Sequence, residues 1–355
     1  MGKDGLLSMD AKPVVKGKDF VFAAMSLEHG HIYDMCKGLC TAGGCLKWVY
    51  DPDPEKLRAF TRRFPQVKIA RDEDEILQDT EVRMVAAADV PAKRCALGLR
   101  VMDSGKDYFT DKAPMTTLEQ LEQAREKVKE TGRMYAVFYS ERVGTESGVY
   151  AGQLIEAGAI GKVIQVIGMG PHRLGALPRP DWFYDRELAG GILCDIGSHQ
   201  VEQFLFYSGA KDATVTRSQV GNFGHPEHPG LEDFGDCMLL GDNGSTNYFR
   251  VDWFTPDGLG TWGDGRTFIL GTDGYIELRK FINVGVDPSG EHVFLVDHHG
   301  ERHIPVAGTV GCPYFGELIL DSLNRTENAM SQEHAFKAAQ ICLIAQREAV
   351  RIGNG

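Results

Sequence analysis

Short apolar runs and amphipathic stretches alternate along the first part of the chain. Phe20 to Met25 is a continuous apolar run and reads as a buried strand, followed by a helix from Ile32 to Leu39. Leu46 to Tyr50 predicts a second strand ending at Asp51, and Pro54 to Phe64 a helix with proline at its start, where a missing N–H costs nothing. Val67 to Ala70 reads as a short strand and Asp72 to Leu77 as a short helix. Val82 to Ala87 is the next strand, Pro91 to Ser104 a helix stopped by Gly105, and Asp107 to Thr110 a strand. A polar-faced helix from Thr117 to Thr131, capped by Thr117 and ended by Gly132, precedes a strand from Met134 to Phe138. Strands alternating with helices at this spacing predict a parallel sheet with helices on both faces, which binds ligands at the carboxyl ends of its strands.

After Tyr139 the texture changes. Val149 to Glu156 reads as a helix and Val163 to Gly168 as a strand. A loop rich in Pro, Gly and aromatic residues runs from Gly170 to Gly191, and a helix from Gly197 to Tyr207. From Thr214 to Val306 the chain is strand-rich, with turn signals at Asp242-Asn243-Gly244 and Thr272-Asp273-Gly274. That predicts a largely antiparallel sheet. A helix from Gln332 to Arg351 closes the pattern.

Composition narrows the function classes. A chain of 355 residues predicts two domains. A net charge of -12 argues against nucleic acid and against anionic membrane surfaces, since both need clustered Lys and Arg. No apolar run approaches a membrane span, and the charged stretch Met1 to Lys18 lacks the apolar segment of a secretory signal. The eight cysteines form no C-x-x-C pair and read as buried cytoplasmic thiols.

Two segments carry candidate chemistry. Lys112 follows a short apolar run at a strand end. Asp195 and His199 lie four residues apart behind the pair Gly190-Gly191, on one face if that segment is helical. Lys, Asp and His are the groups that proton transfer at a hydroxyl-bearing carbon needs. Taken singly, Lys112 is a solvated lysine and Asp195 a helix cap. The turn after the first strand reads Ser26-Leu27-Glu28-His29-Gly30-His31 and lacks the G-x-G-x-x-G pattern. Glu28 beside a pyrophosphate is unfavourable unless it points away, whereas His29 and His31 could add donors to a helix N-terminus. Asp51 ends the second strand, where a carboxylate accepts ribose hydroxyls and repels a 2′-phosphate, favouring NAD over NADP. His225, His228, His298 and His299 invite a metal, but the first two lie in a Pro/Gly loop with no helical spacing, and a surface loop is the better account.

These elements in order resemble the Gfo/Idh/MocA oxidoreductases, the glucose–fructose oxidoreductase and inositol dehydrogenase family, from about Phe20 to Arg351. The carrying motifs are Asp111-Lys112-Ala113-Pro114 in place of Glu-Lys-Pro, the Gly190 to His199 segment, Asp181-Trp182-Phe183, and Leu270 to Leu278. The resemblance implies an α/β protein: an N-terminal Rossmann dinucleotide-binding domain over 19–138 after an extension at 1–18, then a substrate-binding and oligomerisation domain over 139–355 built on an open, mostly antiparallel sheet. It implies a homodimer or homotetramer, and hydride transfer between NAD and a sugar, glycoside or cyclitol, with no metal.

In that chemistry His199 is the base, Lys112 steadies the reacting oxygen, and Asp195 binds a neighbouring hydroxyl and tunes the other two. Ser26, Leu27, His29, His31, Asp51, Ala88 and Lys112 are the cofactor-side candidates, and Tyr139, His172, Arg173, Trp182, Arg186, Asp195 and His199 the substrate-side ones. The resemblance also allows NAD that stays bound through turnover. A glycosidase of the same fold, working by oxidation and elimination, is the alternative enzyme, and a dinucleotide- or sugar-sensing regulator the non-enzyme alternative.

Overall fold

The computed structural model describes residues 13–176 and 179–353. Most of the expected N-terminal extension therefore lies outside the described residues. The chain forms two compact units.

The first unit runs to Phe138 and is completed by Cys312–Phe336. Its six strands are β1 (Val21–Met25), β2 (Cys45–Tyr50), β3 (Lys68–Ile69), β4 (Val82–Ala87), β5 (Asp107–Asp111) and β6 (Tyr135–Phe138). They pair in parallel in the order 3-2-1-4-5-6. This is the doubly wound order, with its topological switch point between β1 and β4. The helices are α1 (His31–Thr41), α2 (Pro54–Arg63), α3 (Glu73–Leu77), α4 (Pro91–Asp103) and α5 (Leu118–Thr131). The local signals act as read. Asp53 caps α2 by accepting from Glu55 N, with Pro54 behind it. Thr117 accepts from Gln120 N at the start of α5, and Gly132 ends it at φ 62°.

Residues 312–336 were expected in the second domain and belong to the first unit. Phe315 packs on α1 where Gly38 leaves room; a Cβ there would stand 2.5 Å from the ring. Tyr314 Oη donates to Val137 O at 3.1 Å, and Arg325 Nη1 to the buried Asp107 at 2.6 Å.

The second unit holds Tyr139–Gly311 and the chain from Lys337 onward. Helices α6 (Ser140–Val143) and α7 (Glu146–Glu156) lead into β7 (Val163–Pro171). Short helices α8 (Arg186–Ala189) and α9 (Ile192–Asp195) precede α10 (Gly197–Ser208). The strands that follow are β8 (Ala213–Gly221), β9 (Phe234–Gly241), β10 (Thr246–Asp252), β11 (Arg266–Gly271), β12 (Gly274–Arg279), β13 (His292–Asp297) and β14 (Gly300–Pro305). Helix α11 (Tyr314–Asn324) belongs to the first unit, and α12 (Gln332–Glu348) ends the helical chain. It stops short of the expected Arg351 because β15 (Val350–Ile352) pairs in parallel with β8.

The nine strands order 14-13-12-11-7-10-9-8-15. Pairing is antiparallel except for β7 with β10 and β8 with β15. Helices α9 and α10 cover one face. The other leaves Met238, Leu240, Phe268 and Leu270 exposed on alternating positions of β9 and β11. All eight cysteines are free thiols. Among the described residues no helix is long and apolar enough to cross a membrane.

Candidate functional site

The turn from β1 to α1 sits at the switch point and is held by its neighbours. Ser26, at φ 53°, donates its N–H to Tyr50 O at 3.2 Å and accepts from Ala88 N at 3.1 Å; His29 N donates to Ala88 O at 3.0 Å. Ala88 is therefore the brace across the β1–β4 crevice. Leu27 is buried, and its N–H donates to Asp51 Oδ2 at 2.6 Å. Asp51 Oδ1 accepts from Asp53 N at 2.8 Å, and the residue is 3% exposed. Asp51 thus stitches the chain after β1 to the end of β2. Glu28 is paired with Lys56 Nζ at 2.5 Å, which offsets its charge beside an anion at this turn.

The sequence reading missed the group beneath the turn. Asp111, fully buried at the end of β5, accepts from His29 Nδ1 at 2.9 Å, His31 Nδ1 at 2.8 Å, Arg94 Nη2 at 3.3 Å and Lys112 N at 2.8 Å. Burial alone would raise its pKa, but His31, His29 and Arg94 hold it well below the usual carboxylate range. Burial lowers His29 to about 4 despite the pull of Asp111. His29 Nδ1 also accepts from the His31 N–H at 3.3 Å, so Asp111 and that N–H compete for one ring nitrogen. Arg94 also donates to Lys112 O and Ala113 O, across a cis Lys112–Ala113 peptide, so Lys112 is held through its backbone and is only 5% exposed. His29, His31 and Asp111 bring ligand-type atoms within 4.8 Å of one another. The Arg94 guanidinium on the same carboxylate opposes a cation there.

In the second unit α9 and α10 abut at Ile196, which is itself helical, so Asp195 and His199 lie one turn apart as expected. His199 is 2% exposed, its ring edge-on to the buried Tyr139 with centroids 6.4 Å apart. The buried face of α10 is polar. Gln200 Nε2 donates to Glu141 Oε2 at 3.1 Å, and Lys280 Nζ to the same oxygen at 2.9 Å. Lys280 also donates to Gln203 Oε1, and Gln203 Nε2 to His199 O at 2.9 Å. Burial would raise Glu141, yet Lys280, His199 and His172 bring it down to about 2.

His172 sits between Trp253 and Trp262, with ring centroids at 5.3 and 4.5 Å. Arg173 Nη2 donates to the carbonyls of Pro256, Leu259 and Thr261, which makes it a loop anchor. Trp182 flanks Phe183, and Arg186 is exposed. Of the histidines that invited a metal, His225 Nδ1 pairs with Asp233 at 2.9 Å, His228 stacks on Tyr184 at 3.7 Å, and His298 is exposed.

A doubly wound parallel sheet with a braced turn at its switch point is the frame of a nucleotide-binding domain. The chain belongs to the Gfo/Idh/MocA family: residues 24–139 match its oxidoreductase family model with NAD-binding Rossmann fold, and residues 149–277 its C-terminal domain. A solved structure described as a candidate oxidoreductase from Erwinia carotovora atroseptica SCRI1043 is 50% identical, covering 94% of this chain and all of its own, with a TM-score of 0.91. The scyllo-inositol 2-dehydrogenase (NAD(+)) of Bacillus subtilis (strain 168) is 28% identical over 69% of each chain. A levoglucosan dehydrogenase in complex with NADH shares the fold at 17% identity and a TM-score of 0.72, over 93% of this chain and 95% of its own. The protein is thus an oxidoreductase of the dehydrogenase type with an NAD-binding Rossmann unit.

Proposed function

We propose that the protein is an NAD-dependent dehydrogenase that oxidises a CH–OH group of a sugar, glycoside or cyclitol, or reduces the matching carbonyl. The observation that carries this is the turn at 26–31, braced at the β1–β4 switch point with Glu28 paired to Lys56, within a chain that keeps Lys112, Asp195 and His199.

The first unit fits a dinucleotide. Gly30 leads into α1, and its N–H has no protein acceptor among the described residues, so it and the helix N-terminus are suited to the pyrophosphate. Asp51 keeps lone pairs for ribose hydroxyls and carries the preference for NAD over NADP. Bound NAD supplies the hydride acceptor. His199 takes the hydroxyl proton, and its contact with Tyr139 and its carbonyl bond to Gln203 fix the ring's helix. Lys112 stabilises negative charge on the reacting oxygen, and Asp195 accepts from an adjacent hydroxyl.

The exposed apolar positions of β9 and β11 suit a second copy of the chain, giving a homodimer or homotetramer checked by light scattering. The primary test has two parts: denature the purified protein and look for released NAD, then follow NADH absorbance with a panel of sugars and cyclitols. Absence of NAD binding and of turnover across the panel would refute the proposal.

A further inference from the structure

Arg179 stands apart from the other buried and part-buried cations of the second unit. Lys280 is paired with Glu141, Arg142 with Glu202, Arg250 with Asp252 and Arg266 with Asp264. Arg179 has no ion pair among the described residues, and its Nε is both buried and without a hydrogen-bond acceptor. Its guanidinium lies over the rings of Phe183 and Trp253, 4.9 Å from each centroid, and those two rings meet edge-on at 5.2 Å. Phe183 and Trp253 are 7% and 6% exposed, so the cation rests on a fixed wall. Burial lowers its pKa, with Asp195 and Tyr184 opposing. The guanidinium is therefore near Asp195 without being bonded to it.

A part-buried cation whose nearest carboxylate is not bonded to it keeps unused donors, and a ring face satisfies none of them. A guanidinium with unused donors can offer two N–H groups side by side, the pattern that receives a carboxylate or phosphate. Asp195 repels either anion and a phosphate dianion about twice as strongly, so a single arginine beside it suits a carboxylate monoanion better.

We propose that the substrate is a sugar acid, an aldonate or uronate, whose carboxylate is received by Arg179 on the Phe183–Trp253 wall while Asp195 and His199 face its hydroxyls. The proposal rests on the dehydrogenase reading above and narrows its substrate class.

The test uses the full-length protein with saturating NAD and three substrate sets: aldonates and uronates, the corresponding neutral alditols and aldoses, and sugar phosphates. Binding of the same compounds is measured by calorimetry, independently of turnover. The expected result is a carboxylate preference in kcat/KM of about 100-fold over the neutral partner, the value of a charge-assisted bidentate pair. Arg179→Met removes that preference by raising KM for the acid, with a loss on the neutral compound at least about tenfold smaller. Arg179→Lys, which keeps the charge and loses the fork, falls between. Thermal melts of both variants verify folding.

Equal use of acid and neutral sugar, preference for the phosphate, or an equal loss on both substrates in Arg179→Met would overturn the proposal and leave the dehydrogenase reading intact. Carboxylate binding that depends on Arg179, with no NADH formed from any compound, would support the proposal and sink the dehydrogenase reading instead.

Discussion

Replacing Glu141 by Gln removes the charge from the most heavily buried ion pair of the second unit. Glu141 is 4% exposed and Lys280 fully buried, and one carboxylate oxygen takes both Lys280 and Gln200. A carboxylate brought from an ordinary 4.5 down to about 2 contributes about 3 kcal/mol of stability at neutral pH. The sign follows from the depression. The contribution is complete above the unfolded value near 4.5 and is lost as pH falls toward about 2. At pH 3 it has shrunk to about 1.5 kcal/mol. Glu141→Gln cannot titrate, so the gap between wild type and variant isolates this group from every other acid in the chain. Urea unfolding of the second unit, followed by tryptophan fluorescence at pH 7, 5, 4 and 3, reads the gap directly. The variant is expected to be less stable by about 3 kcal/mol or more at pH 7, since Lys280 is left unpaired, with the difference narrowing below pH 4.5. A gap that stays constant from pH 7 to pH 3 would refute the ion-pair account and leave only packing.

Asp111→Asn should lower the melting temperature of the first unit by about 10 °C, because it leaves Arg94 buried without its counter-charge and releases His29 and His31. A melt within 2 °C of wild type would show that the carboxylate is replaceable by an amide. Lys112→Ala should cut kcat by about 100- to 1,000-fold while NAD affinity, measured by fluorescence titration, falls far less. Asp51→Ala should reduce the preference for NAD over NADP at least about tenfold and also destabilise the β1–β2 junction, since Leu27 and Asp53 lose their acceptor. An unchanged cofactor ratio would remove Asp51 from the specificity argument.

The parallel sheet was legible because each strand of the first unit is a short apolar run followed by an amphipathic helix with its own cap or stop, as Thr117 and Gly132 show at α5. Helix α11 was not, because neither end carries the usual signal. Pro313 precedes it without a side-chain cap, and Arg325 takes the left-handed position, at φ 59°, that a glycine normally marks. Among the candidate residues, Lys112, Asp195 and His199 stood out as residue types that move protons. Asp111 did not, although it adjoins Lys112 in the sequence. Its role depends on meeting two histidines 80 and 82 residues earlier, and only the β1–β5 spacing of the folded sheet creates that meeting. Arg173 and Arg179 look alike in sequence; one is consumed by three carbonyls and the other is left facing the aromatic wall.

The first unit is finished by residues made long after its sheet. Phe138 ends the last parallel strand, and Cys312 begins the segment that closes it. At ribosomal speeds of about 5–20 residues per second, that gap is a wait of roughly 10–35 s. During it, Asp107 lacks Arg325 and Ser322, Val137 O lacks Tyr314, and the face of α1 around Gly38 lacks Phe315. The nascent sheet therefore emerges with an open apolar flank. A fragment ending at Phe138 would keep that flank permanently, which makes it a natural client for chaperones and a poor choice for producing the cofactor unit alone. A fusion that appends 312–336 directly to 138 would restore the missing partners in one continuous piece.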